Sequence, residues 1–200
     1  IKKFYGKKIA SDRQEELQNY ILEGGFPRTI QLENIAAKRR YVQSVIEEIF
    51  EKDIRRRLKI RNKNTFETVQ KYIINNFAAT TSLKSLKKAI EQNGTAISEA
   101  TIARYVKALL DAKILCECPR FDMKSKKSLS GEKKYYLADT AFYCAQNTDN
   151  RINFGPVLEN ITYIYAKSHD YSVAVGRIGK LECDFILRNN EMRYSYIQVA

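Results

Sequence analysis

Two hundred residues, 44% of them hydrophobic and 11% aromatic, supply an ordinary core and exclude a chain too polar to fold. Lys and Arg number 35 against 23 Asp and Glu, a formal net charge of +12, which points to a polyanion or an acidic partner surface. No signal peptide is legible, and no apolar run approaches the roughly 18 residues a membrane span needs.

The charge is clustered. Residues 1–13 hold five basic side chains and one acidic, 52–63 seven and one, and 120–134 six and two. The four cysteines, Cys116, Cys118, Cys144 and Cys183, include no Cys-x-x-Cys pair, so neither a disulfide framework nor a zinc site is expected. That usage fits a reducing cytoplasm. Beginning at Ile1 and stopping at Ala200 inside an apolar strand pattern, the chain reads as a fragment of a longer protein.

Residues 1–13 read as a basic connector. Gln14 to Leu22 reads as a short helix stopped by Gly24-Gly25 and Phe26-Pro27. From Glu33 a long helix is predicted to about Leu58, with Ile35, Tyr41, Val42, Val45, Ile46, Ile49 and Phe50 inward. It ends in a basic run of Arg55, Arg56, Arg57, Lys59, Arg61 and Lys63. This run either complements the helix dipole or binds phosphate. Asn64-Thr65-Phe66-Glu67 reads as a capping box opening a helix that buries Phe66, Val69, Ile73 and Phe77.

Residues 81–137 read helix, turn, helix, strand, basic hairpin, strand, the order of a winged helix. Ser82 caps a helix with Leu83, Leu86 and Ile90 on one face, ended by Asn93-Gly94. Ser98 caps the next, with Ile102, Val106, Leu109 and Leu110 inward. Its outward face is mixed: Glu99, Thr101, Arg104, Lys107 and Asp111. Arg104 and Lys107 are candidate phosphate contacts, as a second helix entering the major groove would require. Residues 114–118 read as a strand and 121–131 as a polar loop. Lys124, Lys126, Lys127, Lys133 and Lys134 crowd the hairpin and are expected to give salt-sensitive affinity for nucleic acid, against the plainer reading of a solvated tip.

After Asp139 come a short helix to Gln146, a polar loop, and a helix from Gly155-Pro156 with Val157, Leu158, Ile161 and Ile164 or Tyr165 inward. His169 falls at its end, on the surface. Three strands follow: 171–176, 181–187 and 193–200. Alternation puts Glu182 and Asp184 on one side of the second, and Tyr194, Tyr196, Gln198 and Ala200 on one face of the third. An acid on a helix (Glu159), an Asp on a strand (Asp184) and a polar residue on the next strand (Gln198) form a metal-nuclease arrangement, in which Mg²⁺ bound by carboxylates activates water. The plainer readings are a helix-dipole partner for Glu159 and a buried polar group for Asp184.

The stretches YILEGGFP (20–27), RRYVQSVIEEIFEKDI (39–54), RFDMKSKKSL…KKYYLAD (120–139), GPVLENITYIYA (155–166), ECDFI (182–186) and YIQVA (196–200) together resemble one family, the C-terminal region of predicted bacterial and archaeal AAA-type ATPases. The resemblance spans nearly the whole chain. It implies an α+β chain in which a helical segment (1–63) and a winged helix (64–139) precede an incomplete restriction-endonuclease-like α/β core (140–200). It also implies an ATPase module N-terminal to this region, which would hold ATP. No G-x-x-x-x-G-K-[ST] occurs here. Carried over by position, Glu159, Asp184 and Gln198 take the places of the PD-(D/E)xK pattern, with Glu159 and Asp184 as metal ligands, but Ala200 stands where lysine belongs. Arg177 and Lys180 are the neighbouring cations that would replace it. The expected function is therefore a non-catalytic nucleic-acid- or partner-binding module, with no cofactor of its own. The alternatives are a Mg²⁺-dependent nuclease and a structural domain coupling the ATPase module to a partner.

Overall fold

The computed structural model describes residues 13–58, 60, 62–122, 124–125, 127–146, 153–178 and 181–199. The chain is α+β, with helices leading into and flanking one mixed six-stranded sheet.

Helix α1 (Arg13–Glu23) stops at Gly24, which takes φ +73°, a conformation glycine adopts without steric cost. The glycine pair also admits a close approach. The Gly25 N–H donates to both carboxylate oxygens of Asp139, at 3.0 and 2.9 Å, and the Ala141 N–H donates to Oδ1 at 2.8 Å. A Cβ on Gly24 would lie 2.2 Å from Asp139 Oδ1 and 2.5 Å from the Ala141 nitrogen. Burial raises the Asp139 pKa, and the Ala141 and Gly25 N–H groups only partly offset it. A short 3₁₀ turn (Pro27–Gln31) follows.

Helix α2 (Ile35–Ile49) begins at Asn34, whose side chain accepts from the Ala37 N–H at 2.8 Å. It continues through a π-helical turn (Phe50–Ile54) into α3 (Arg55–Leu58), so the predicted long helix is one helical run with a π turn inside it. Val42, Ile46, Phe50 and Ile54 are buried, but Ile35 is 40% exposed because it sits in the first turn, beyond the neighbouring helices. Helix α4 (Lys63–Asn75) is capped by Asn62, two residues before the predicted box, with Asn62 Oδ1 accepting from the Thr65 N–H at 3.1 Å. Phe66, Val69 and Ile73 are buried as their spacing predicts, as is Phe77 just beyond the helix.

Strand β1 (Thr80–Thr81) leads into α5 (Leu83–Gln92), where Ser82 and Ser85 form a reciprocal capping box. Helix α6 (Glu99–Asp111) is capped by Ser98. Leu86, Ile90, Ile102, Val106 and Leu109 fill the space between these helices and α4. The hairpin of β2 (Leu115–Asp122) and β3 (Lys127–Leu137) is longer than predicted. Residues 127–131, read as loop, pair from Lys127 opposite Asp122, because the Asp122 carboxylate closes a tight turn by accepting from the Lys124 N–H and the Ser125 hydroxyl.

Helix α7 (Ala141–Gln146) is followed by α8 (Phe154–Ser168), β4 (Ser172–Ile178), β5 (Leu181–Arg188) and β6 (Tyr194–Ile197). The sheet order is β1-β3-β2-β4-β5-β6, and β2 pairs in parallel with β4. The hairpin is therefore paired on both sides, and its strands share a sheet with the C-terminal ones. Helix α8 covers that sheet. Tyr163 stacks on Tyr136 at 4.3 Å between centroids, and Phe185 packs against both. Tyr165 points outward, so Ile164 is the inward member of that pair. Fully buried Asn160 accepts from the Leu137 N–H at 2.7 Å and donates to the Leu137 carbonyl at 3.0 Å, completing the end of β3 as a neighbouring strand would. Strand β6 is shorter than predicted and lies at the sheet edge, with Tyr194 and Tyr196 exposed.

Gly24→Ala is expected to lower the unfolding free energy by more than about 2 kcal/mol in urea denaturation, because the left-handed φ and the Asp139 contact both penalise a side chain. Asp139 ties protonation to folding in the opposite direction from a salt-bridged carboxylate. Between the ordinary carboxylate pKa and its raised folded value the native state binds the proton more readily, so its contribution to stability grows as pH falls through that window. Urea midpoints measured across the acidic range should show this contribution in the wild type and its loss in Asp139→Asn.

Candidate functional site

The candidate acids converge on β3, β5 and α8, but not in the predicted pairing. Between the pairs Ala174–Ile186 and Gly176–Cys183, the single residue Val175 of β4 lies opposite Asp184 and Phe185 of β5, a bulge that breaks the period-two alternation. Glu182 then turns toward the acid of α8, and Asp184 toward the sheet edge. Lys134, 6% exposed on β3, donates to Glu159 at 2.9 Å and to Glu182 at 2.7 Å. The Tyr136 hydroxyl donates to the same Glu159 oxygen. Buried Arg120 joins Glu182 at 3.1 Å to Glu132. The result is one chain of charge: Glu132, Arg120, Glu182, Lys134, Glu159. Asp184 accepts instead from Gln198 Nε2 at 2.7 Å and from the Val199 N–H at 2.8 Å.

Lys134 and Lys133 were expected in the basic loop. The earlier start of β3 removes both from it, since Lys133 pairs with Glu117 at 2.7 Å. Burial depresses the Lys134 pKa, yet the hydrogen bonds and charges of Glu182 and Glu159 outweigh it and the net shift is upward, so Lys134 is held as an ammonium. The Tyr136 phenol is pushed far up, first by burial and then by the Glu159 charge. Sequence reading missed Lys134 as a member of this cluster. Its signal was its position two residues before Tyr136 on the same strand face.

Glu159 is thus engaged by Lys134 and Tyr136, and Asp184 by Gln198 and a backbone N–H. The two share no donor, and among the described residues no three Asp, Glu, His or Cys side chains are grouped to hold a metal ion. Each carboxylate is engaged by donors that the chain itself supplies. Ala200 and Lys180 lie outside the described residues. His169 is on the surface, as expected. Burial pushes the Cys118 thiol up to about 12 and the Cys144 thiol up to about 11, leaving both unreactive as nucleophiles.

The basic candidates divide. Arg55 donates to Glu51 at 2.8 Å, and Arg57 lies 4.0 Å from Asp53. Arg56 is exposed and has no ion pair among the described residues. On α6, Lys107 bonds both oxygens of Asp111. Exposed Arg104 stays close to the ring of its neighbour Tyr105. Lys124 is exposed; Lys126 and the Lys127 side chain lie outside the described residues. Exposed i,i+4 pairs such as Lys107–Asp111 contribute only about 0.3–0.5 kcal/mol and yield readily to a phosphate. Lys84, Lys87 and Lys88 on α5 were not singled out from sequence. With Glu91, Gln92 and Glu99 they line an open cleft of about 570 Å³. Their spacing, opposite the Leu83, Leu86 and Ile90 stripe, was the available signal.

A family model described as a domain of unknown function (DUF8612) matches residues 14–152. An uncharacterized protein of Haemophilus influenzae is 24% identical over 177 residues, which is 88% of this chain and 44% of that protein. An uncharacterized protein of Methanocaldococcus jannaschii is 25% identical over 164 residues, 82% of this chain and 36% of that one. The chain therefore spans less than half the length of these curated relatives. No solved structure matches it significantly. Among the described residues no helix is long and apolar enough to cross a membrane.

Removing Lys134 leaves Glu159 with the Tyr136 hydroxyl and no cation, and leaves Glu182 to Arg120 alone. Lys134→Met is expected to cost about 3–5 kcal/mol in denaturant unfolding, and adding Glu159→Gln should return part of that loss, a coupling that a double-mutant cycle reads directly.

Proposed function

Since the chain belongs to the DUF8612 family, we propose that it is a non-catalytic nucleic-acid-binding module of a longer AAA-type ATPase. The observation that carries this reading is the set of exposed cations on and beside the three-helix unit α4–α6. Lys84 and Lys88 on α5 and Arg104 on α6 are exposed and form no ion pair among the described residues. Helices α4, α5 and α6 followed by the β2–β3 hairpin have the element order of a winged helix, in which α6 would approach the groove and Lys124 at the hairpin turn would meet the backbone. Contacts of this kind neutralise phosphates and release counterions, giving affinity without sequence reading.

The absence of catalysis is supported by the engagement of Glu159 and Asp184, whose donors are supplied by the protein itself. The remaining length of the relatives leaves room for the ATPase module that the family resemblance implies. ATP would bind there.

Fluorescence anisotropy with labelled duplex and single-stranded DNA across a salt series tests the reading. Binding should weaken steeply with salt, and Lys84→Ala, Lys88→Ala and Arg104→Ala should each flatten the log–log slope by about 1. No salt-dependent binding would transfer the basic faces to an acidic protein partner, foremost the ATPase module. Cleavage of DNA with Mg²⁺ or Mn²⁺ that is lost in Glu159→Gln would replace the proposal with a nuclease.

A further inference from the structure

Alternate residues of the C-terminal strands fall on the two faces of the sheet. One face packs into the core beneath α8, through Val173 and Val175 of β4, Phe185 and Leu187 of β5, and Ile197 of β6. Ala174, Ile186 and Tyr196 stand between them on the other face, and none is part of that core. Ile186 is 7% exposed although it lies outside the core, because its side chain rests across Gly176, where a Cβ would stand 2.9 Å from Ile186 Cδ1. Its cross-strand partner on β6 is Tyr196, and Arg188 stands opposite Tyr194. Gly176 pairs in turn with Phe121 of β2, which is half-buried and also outside the core. Phe121 follows Arg120, whose guanidinium reaches Glu182 on the α8 side, so the Phe121 ring faces away from α8. Phe121, Ile186 and Tyr196 thus cross four strands on one face, with Gly176 between them.

Tyr194 and Tyr196 are 57% and 60% exposed. Two residues apart on one strand, they stand about 7 Å from each other along the same face. Charge selects what meets them. Among the described residues of β4, β5 and β6 on this face, Arg188 is the one charged side chain, and it forms no ion pair. No carboxylate accompanies it. Asp184 is taken up by Gln198 and the Val199 N–H, and Glu191 in the following turn is paired with Arg193 at 3.3 Å. Exposed rings over an apolar floor, beside an unpaired guanidinium, suit a polymer with flat apolar faces and a negative backbone. Bases stack on tyrosine whatever their identity, and a guanidinium meets phosphate. A duplex keeps its base faces inside its own stack, so only unpaired bases reach the rings. We propose that the sheet face opposite α8 is a stacking platform for single-stranded nucleic acid, with Tyr194 and Tyr196 each taking a base and Arg188 a phosphate. The platform does not depend on the cations of α5 and α6, and its test separates the two surfaces.

The experiment is anisotropy of the chain with labelled oligo-dT and, separately, a labelled duplex. Tyr194 and Tyr196 are replaced together by Leu, which keeps apolar bulk and removes the rings, or together by Phe, which keeps the rings. The Leu pair should weaken oligo-dT binding by about 10-fold or more while duplex binding stays within about 2-fold, and the Phe pair should bind oligo-dT like wild type. The chain holds 13 Tyr and no Trp, so tyrosine emission reports stacking directly. Oligo-dT should quench it in the wild type and quench it less in the Leu pair. Arg188→Gln should flatten the salt slope of oligo-dT binding by about 0.7, an independent reading should the Leu pair not fold. No binding of oligo-dT, an affinity unchanged in the Leu pair and in Arg188→Gln, or an equal loss in the Phe pair would overturn the proposal. So would a dimer in sedimentation that the Leu pair dissolves, which would give this face to a second copy of the chain. Oligo-dT binding lost in Lys84→Ala and Lys88→Ala but unchanged in the Leu pair would remove the platform and keep the cations of α5; the reverse would keep the platform and remove the cations.

Discussion

Lys134 is the group on which the second half of the molecule is arranged. A buried ammonium is tolerable only with carboxylates close to it, and Glu159 and Glu182 come from two different elements to meet it. Satisfying Lys134 therefore brings α8 and β5 to β3. The stack of Tyr136, Tyr163 and Phe185 and the doubly bonded Asn160 follow from the same approach. Arg120 extends the line of charge to Glu132, and β2, which carries Arg120, is also the strand that pairs with β4.

A second constraint fixes the helical half. Asp139 follows β3 and reaches back to Gly25, while the Thr140 hydroxyl donates to the Tyr20 carbonyl and Gln43 donates to Ala145. The residues just beyond the hairpin thus receive the N-terminal helices on one side and lead to α8 on the other. The sheet and the helices are joined through this short segment, which explains why a glycine pair remote in sequence is shaped by a single aspartate.

Much of the helical architecture was legible. Ser82 and Ser98 announced their helices because a hydroxyl before an apolar stripe has one dominant use, and the stripes of α4, α5 and α6 were buried as their spacing required. The strands were legible as strands, but their pairing was not. Alternation placed Glu182 beside Asp184, and the bulge in β5 separates them; a bulge depends on what the partner strand needs, which one strand's sequence does not state. Lys134 looked like one more lysine of a basic loop because its burial depends on two carboxylates 25 and 48 residues away in sequence. Buried Asn160 and Gln70 were hidden for the same reason: polar residues at inward helical positions read as interruptions of a stripe until their surroundings are known.

The acids of α8 and β5 are engaged by donors of the fold itself. Titration of Mn²⁺ into the chain, followed by calorimetry, tests it most directly. If Glu159 and Asp184 are engaged as described, no stoichiometric binding should appear that either Glu159→Gln or Asp184→Asn abolishes. A one-to-one binding isotherm lost in both variants would contradict the account and return these carboxylates to metal chemistry.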